Sequence, residues 1–268
     1  MSTFVVAVFP TEAMAYDGRR AMQDLQAAGN LTLYSMAVVT KAADGKVAVK
    51  ETTERGPLGT GVGLLTGGLV GLLGGPAGAA TGVAGGALIG SWSDLLGLGV
   101  GRDFLDKVAR QLTPGKTAVV AEVEEEWVTP LDTGVEAIGG TVLRQRRADF
   151  EHEQIQQVVD ASKAELAELE AEHRQATADR KAELKARIDE ARARMRSRAA
   201  QAKENRDRLQ QETEAKIKTL QVQRERARAE DNAKYEQRIA KLRADYDRSA
   251  DELAQAAELW LDAATFTP

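Results

Sequence analysis

The sequence contains no cysteine, only two histidines, and few aromatic residues, which make up 4% of its 268 positions. Without cysteine the chain can form neither disulfides nor thiolate metal sites. Large aromatic side chains supply much of the buried area in ordinary cores, so their scarcity argues against one large globular core. Glycine and proline, which punctuate most folded sequences, are absent from Thr141 to Thr267. A stretch this long without either residue favours continuous helix.

Two segments, residues 1–55 and 102–147, have the pattern of a small α/β domain. Short apolar runs such as FVVAVF at Phe4–Phe9 predict buried strands, and apolar residues at helical spacing predict helices between them. The predicted order is β-α-β-β-[insert]-α-β-α-β. The first six regular elements match a ferredoxin-like split β-α-β sandwich, so we expect an α+β fold.

Residues 56–101 form a glycine-rich apolar insert, and residues 56–93 carry no charge. Glycine recurs there at every fourth position, on one stripe of a helix, and the stripe residues are Gly59, Gly63, Gly67, Gly71, Gly75, Gly78, Gly82, Gly86 and Gly90. Each glycine costs a helix about 1 kcal/mol, which close approach of helix backbones can offset. We therefore predict a glycine-zipper hairpin that turns at 74–76. The alternative, a flexible linker, would be expected to carry serine and charge instead of Leu and Val.

The N-terminal strand, the glycine-rich hairpin, the stretch RDFLDKVARQLTPGKTAVV and the stretch GGTVLRQ at 139–145 together resemble the bacterial family DUF1269. The resemblance covers roughly residues 1–150. Members of this family are often described as membrane proteins, and the family implies no established activity. The helix that follows residue 150 is an addition to the short members.

The insert raises the question of membrane contact. Each half of the hairpin has about 15–18 residues, or roughly 23–27 Å of helix, against a hydrocarbon core of about 30 Å. Trp92 follows the apolar segment, where aromatic residues anchor at interfaces, although a core position would suit it equally. The N-terminus lacks the features of a signal peptide. We expect a cytoplasmic protein, with a lipid bilayer as an open partner for residues 56–101.

Residues 148–262 are predicted to form a long charged helix, followed by a tail at 263–268. If about 110 of these residues are continuous, the helix is roughly 165 Å long. Residues 141–268 hold 26 of the 36 Lys and Arg and 26 of the 41 Asp and Glu. Its predicted packing residues are Leu166, Leu169, Leu184, Ile188, Met195, Leu209, Ile217, Leu220, Ile239, Leu242, Leu253 and Trp260. This sparse stripe favours packing between copies. A monomeric rod stays open, as does a back-folded hairpin turning at Asn205 or Asn232.

No catalytic or ligand-binding pattern is evident. His152 and His173 lie too far apart on one helix to share a metal, and we expect both to be solvated. The acidic residues 122 and 124–126 are expected at a solvated strand end, and the basic patch at 185–198 on a solvated helix face without aromatics for base stacking. We predict no enzyme activity, no cofactor, no metal and no nucleic-acid partner.

The leading functional expectation is a structural protein that assembles with itself into a large homo-oligomer through the glycine zipper and the long helices. An apolar hairpin, a sparse helical stripe and an apolar C-terminus around Trp260 would each lack a partner in a lone rod-like monomer. The alternative is a membrane-anchored binding or stress-response module whose hairpin lies in lipid.

Overall fold

The computed structural model describes residues 2–52, 57–59, 62–63, 65–70, 73, 102–226 and 232–265. The strands in these ranges are β1 (Thr3–Phe9), β2 (Leu31–Lys41), β3 (Val47–Thr52), β4 (Thr117–Glu125) and β5 (Thr141–Arg146). The helices are α1 (Glu12–Ala27), α2 (Arg102–Gln111), α3 (Thr129–Ala137), α4 (Arg147–Gln175), α5 (Ala178–Arg226) and α6 (Asn232–Thr265). A 3-10 turn at Pro57–Gly59 precedes helical residues within 62–73. The predicted α+β class is confirmed.

The five strands form one antiparallel sheet in the order β3-β2-β4-β1-β5. β1 and β2, which α1 connects, lie on either side of β4, and β4 runs antiparallel to both. This is the split β-α-β arrangement of a ferredoxin-like sheet. β5 pairs with the free side of β1.

The ferredoxin-like pattern uses different elements from those that the sequence suggested. In the structure the ferredoxin-like pattern consists of β1, α1, β2, β4, α3 and β5. β3 is an additional edge strand that pairs only with β2 among the described strands. α2 was expected to be the second crossover helix, but it belongs to the insertion between β3 and β4. Strand order depends on contacts distant in sequence, so the linear order of elements left this assignment open.

Helices cover both faces of the sheet, as alternation along the strands allows. α1 and α3 lie on one face, where Val5, Ala7 and Phe9 of β1 are buried beside Met22 and Val135. The other face is covered at one end by α2 and by residues 62–70, which bury Val62, Leu65 and Leu69 completely. The remaining end of this face is covered by α5 and α6.

The C-terminal part folds back on itself and forms a three-helix coil, so the back-folded alternative is observed in place of a single rod about 165 Å long. α5 packs against α4 and α6, and α4 also contacts α6. α5 itself has 49 residues, or about 73 Å of helix. Asn205 lies buried inside α5 and makes no turn, whereas α6 does begin at Asn232. The break between α4 and α5, at 176–177, was not predicted.

The close packing of α1 on β1 gives a first prediction. A Cβ added to Gly18 would lie 2.1 Å from Cζ of Phe9, whose ring is completely buried. We expect Gly18→Ala to lower the free energy of unfolding by about 1–3 kcal/mol, because the core must shift to admit one methyl group. Urea titration followed by circular dichroism measures the change.

Gly134→Ala in α3 is the matched control, since no heavy atom lies within 4 Å of its added Cβ. Alanine there should instead stabilise the helix by up to about 1 kcal/mol. Equal effects of the two substitutions would show that α1 does not pack on Phe9 as described.

Candidate functional site: a buried ion network under the helical coil

The central strand β4 changes character along its length on one face of the sheet. Ala118 and Val120 are apolar and lie under α2 and residues 62–70. Glu122 and Glu124 continue the same face at a spacing of two, yet they are only 0% and 3% exposed. The expectation of a solvated strand end is therefore wrong for these two glutamates. Charged side chains are almost never fully buried unless they are paired, so their partners define the site.

The first partner of Glu122 is Arg147, the first residue of α4. Its Nη1 donates to both carboxylate oxygens of Glu122, at 3.0 and 3.1 Å. The same guanidinium also binds Glu212 of α5, with Nη2 donating to Oε2 at 2.9 Å. Its central carbon lies 5.9 Å from the ring centre of Phe4, within the range of a cation–π contact. One arginine thus joins β4, the start of α4 and the middle of α5.

The second partner of Glu122 is Lys216 of α5. The Lys216 ammonium donates to Oε1 of Glu122 and lies 2.8 Å from Oε1 of Glu212, one helical turn away. It also lies 5.2 Å from the ring centre of Tyr34 on β2. Two carboxylates and two cations therefore alternate in space, and all four side chains are no more than 8% exposed. We call Glu122, Arg147, Glu212 and Lys216 the ion network.

A second set of polar contacts extends the site toward α6. Tyr34 donates from its hydroxyl to Glu124 at 2.6 Å. Thr32 on β2 donates to Gln223 of α5 at 2.8 Å and accepts from Arg238 of α6 at 3.3 Å. Apolar side chains surround these contacts, and the buried members are Leu220, Tyr235, Ile239 and Leu242. Every helix of the coil therefore reaches the sheet through a polar contact.

The network shifts the proton affinities of its members. Burial would raise the pKa of Glu122, but Arg147 and Lys216 favour the carboxylate and lower its pKa to about 2. Burial raises the pKa of Tyr34 well above its ordinary value, and the adjacent Glu124 carboxylate adds to that effect. At neutral pH Glu122 is therefore ionised and Tyr34 is a neutral hydrogen-bond donor.

This arrangement suits mechanical attachment better than chemistry on a substrate. A general base needs access to the proton that it removes, whereas Glu122 is completely buried and both of its oxygens already accept hydrogen bonds. In the part of the chain that the structure describes, no group of three or more His, Asp or Glu side chains could hold a metal ion. The ion network holds the coil on the sheet.

The predicted glycine stripe lies only partly within the described residues. Gly59 ends the 3-10 turn, and Gly63 and Gly67 lie in the helical segment that covers the sheet. Gly63 is exposed, and its added Cβ would meet no heavy atom within 4 Å. The other predicted stripe residues lie outside the described residues, and they are Gly71, Gly75, Gly78, Gly82, Gly86 and Gly90. Trp92, the predicted anchor after the hairpin, lies outside them as well.

The twelve predicted packing residues of the long helix separate into two groups. The first lies in the seam between α4, α5 and α6, and comprises Leu166, Leu169, Leu184, Ile188, Met195, Leu209, Leu253 and Trp260. The second faces the sheet near Tyr34, and comprises Ile217, Leu220, Ile239 and Leu242. Leu209 and Ile217 are partly buried and the other ten are buried. All twelve therefore have partners within the chain.

The basic patch at 185–198 also differs in part from its predicted solvated state. Lys185 and Arg187 are exposed. Arg192 lies 2.9 Å from Glu170 and Arg194 lies 2.6 Å from Glu165, so both arginines bridge α5 to α4. Such bridges between long side chains contribute up to about 1 kcal/mol each, and they fix which residues of the two helices face each other.

Sequence reasoning missed the ion network, although weak signals were present. Glu122 and Glu124 are two residues apart at the end of a predicted strand, a spacing that places them on one face where the strand continues. Glu212 and Lys216 are four residues apart, which places them side by side on a helix. Nothing local indicated that these two faces meet. None of the helices in the described ranges is both long enough and apolar enough to cross a bilayer.

The ion network predicts a large cost for removing one of its charges. Glu122→Gln keeps the shape of the side chain but leaves two buried cations, Arg147 and Lys216, to share the single carboxylate of Glu212. We expect the free energy of unfolding to fall by about 3–5 kcal/mol, the usual cost of breaking a buried ion pair. Glu126→Gln is the control, because Glu126 pairs with Lys234 at 2.9 Å while 45% exposed and should cost less than about 1 kcal/mol. Similar losses in urea titrations of both variants would contradict the network.

The depressed pKa of Glu122 also predicts how stability depends on pH. The pKa of Glu122 is about 2 in the folded chain, against an ordinary value of 4.5 for a glutamate, so the folded state favours the carboxylate. The resulting stabilisation is fully present above pH 4.5 and is lost as pH falls toward 2, a change of about 3 kcal/mol. The stability difference between the natural chain and Glu122→Gln should shrink by that amount between pH 6 and pH 2. A difference that stays constant in urea titrations across this range would contradict the assignment.

Comparison with known proteins places a family on part of this architecture. Residues 60–160 match the model of the family described as "Protein of unknown function (DUF1269)". The match confirms the resemblance, but it covers different residues from the expected 1–150, since β1 to β3 precede it. No curated protein and no solved structure matches the chain. The matched segment includes Glu122 and Arg147, whereas Glu212 and Lys216 lie beyond it. Residues 60–160 are thus similar to DUF1269, and most of the helical coil lies outside the matched segment.

Proposed function

We propose that the protein is a non-enzymatic scaffold that assembles with itself into a homo-oligomer through the glycine stripe of the insert. The observation that carries this proposal is the orientation of residues 62–70. Val62, Leu65 and Leu69 are completely buried against the sheet, whereas Gly63 faces outward with open space around its Cα. The leucine side of this helix is buried within the domain, whereas on the glycine side Gly63 is exposed and Gly67 is half-buried.

A helix that presents glycine outward is suited to another helix. With 100° between successive residues, a repeat of four turns the stripe gradually around the helix, so Gly63 and Gly67 lie away from the buried leucines. Their cost of about 1 kcal/mol each is offset when a second backbone approaches closely. A second copy of the insert, with the same stripe from Gly59 onward, fits that requirement.

The coil contributes less to assembly than the sequence suggested. Of the features that called for a partner, the helical stripe and Trp260 are buried within one chain, whereas Leu259 and Leu261 of the apolar C-terminus are 38% and 39% exposed. Leu184 and Met195 are 1% exposed, and Trp260 is 4% exposed. The proposal therefore rests on the insert.

The second candidate is a membrane-anchored module, which the absence of charge from residues 56 to 93 favours. Against it stands the burial of Val62, Leu65 and Leu69 in the core beside Phe104 and Val108. The start of the insert cannot lie in lipid while it covers the sheet, so the membrane candidate requires either its release or insertion of the later residues alone.

The glycine stripe can be tested by filling it. Gly63→Leu should reduce the mass of detergent-free assemblies toward the 28.9 kDa of one chain, because the added side chain keeps a second backbone away. Gly134→Leu is the matched control. This glycine also lies on a helix with no heavy atom near its Cβ, but on the opposite face of the sheet. Size-exclusion chromatography with light scattering measures both variants.

A natural chain that is monomeric without detergent, or an assembly that Gly63→Leu leaves intact, would contradict the scaffold proposal. Flotation with phospholipid vesicles distinguishes the second candidate. Aggregates that detergent disperses, together with flotation that salt does not reverse, would favour the membrane-anchored module instead.

A further inference from the structure

The connection between α4 and α5 is short and lacks the usual residues of a helical turn. α4 ends at Gln175, and α5 begins at Ala178, so only Ala176 and Thr177 connect two antiparallel helices. Ala176 adopts extended backbone with ψ 152°. Helices commonly end at a glycine in left-handed conformation, and none is available between Thr141 and Thr267. Both residues at this connection can also continue a helix, alanine best of all.

The contacts between α4 and α5 are arranged symmetrically about residue 180. The members of each pair lie at nearly equal sequence distances on either side of that residue, and the pairs are Glu165 with Arg194, Glu170 with Arg192, Ser162 with Arg198, and Arg147 with Glu212. Two straight copies of residues 147–226, laid antiparallel about a twofold axis near residue 180, would therefore bring the same partners together. In that arrangement each contact joins two chains.

The contact between the coil and the sheet would also survive such an exchange. Glu122 and Arg147 are on the sheet and at the start of α4, whereas Glu212 and Lys216 are on α5. In the antiparallel pair, Arg147 of one chain lies beside Glu212 of the other. The network is specific for its own complementary charges, and a second copy of this chain supplies those charges at the same spacing.

We propose that two copies exchange their α5–α6 segments, and that α4, the 176–177 connection and α5 become one continuous helix in the exchanged dimer. Exchange of identical elements is a low-cost route to a dimer, and a short hinge favours it. The continuous helix spans residues 147–226 and is about 120 Å long. The glycine stripe takes no part in this dimer, so exchange stands or fails separately from the proposed scaffold function.

The hinge offers two opposite variants for the test, both placed in the Gly63→Leu background so that assembly through the stripe is not counted. Thr177→Ala removes the residue at the N-cap position of α5, where alanine is disfavoured. It should raise the dimer fraction about tenfold. The substitution destabilises the start of α5 in each monomer, whereas in the dimer residue 177 lies inside a continuous helix and needs no N-cap. Insertion of Gly-Asn-Gly-Ser between Ala176 and Thr177 should lower the dimer fraction, since the longer loop closes the hairpin without strain and interrupts the helix. Light scattering gives the fractions.

Cross-linking identifies the contacts within the dimer. Because the natural chain has no cysteine, Glu165→Cys with Arg194→Cys gives two unique thiols at a pair that joins α4 to α5. A short bismaleimide should link the thiols within one chain in the monomer and between two chains in the isolated dimer. Small-angle scattering of that dimer should show the long axis expected of the continuous helix.

Products linked only within one chain, together with a monomeric mass for Thr177→Ala, would overturn the exchange. A dimer whose thiols link only within one chain would overturn it as well. If the chain with natural Gly63 still assembles in either case, the scaffold proposal is unaffected. Conversely, the exchanged dimer could form while Gly63→Leu leaves the larger assembly intact. That result would support the exchange and contradict the proposal that copies assemble through the glycine stripe.

Discussion

The carboxylate of Glu122 is buried between the sheet and the helical coil, and the cations that bind it come from two different helices. Arg147 begins α4, and Lys216 lies near the sheet-facing part of α5. Each cation also binds Glu212, so the sheet, α4 and α5 have a single common register. Thr32 adds a second attachment through hydrogen bonds with Gln223 of α5 and Arg238 of α6, and the ion network supplies the charged one.

Burying four charges is an inefficient way to gain stability. Desolvation cancels much of the attraction between buried ions, and apolar residues of the same volume often serve equally well. What the ions add is directional: Glu122 accepts only from donors at the right positions, whereas leucine would tolerate a helix shifted by a turn. The apolar contacts of Leu220 and Tyr235 supply area, and the ions determine which part of the coil occupies it.

The sequence predicted what local patterns control. FVVAVF gave β1, and the absence of glycine and proline after Thr141 gave the helical content of the C-terminal half. The fold-back at Ala176 and Thr177 was missed because its signals are weak: His173 and Arg174 end α4 with positive charge, and Thr177 precedes Asp179 at the start of α5. Glu122 was misassigned because its partners lie 25 and 94 residues away, beyond the reach of any spacing rule.

Two groups of helices cover one face of the sheet, and one packs on apolar residues while the other packs on acidic residues. The insert and α2 cover the apolar end of β4, and the coil covers its acidic end. Only the first cover and the start of α4 lie within the matched family segment. A related chain that ended soon after β5 would leave the positions of Glu122 and Glu124 open to water, where the apolar setting of Phe4 and Tyr34 would suit neither. Carboxylates in water nevertheless need no cation, so the acidic half of β4 does not require the coil. The reverse dependence holds, because Lys216, 4% exposed, is a buried cation that needs the carboxylates of Glu122 and Glu212.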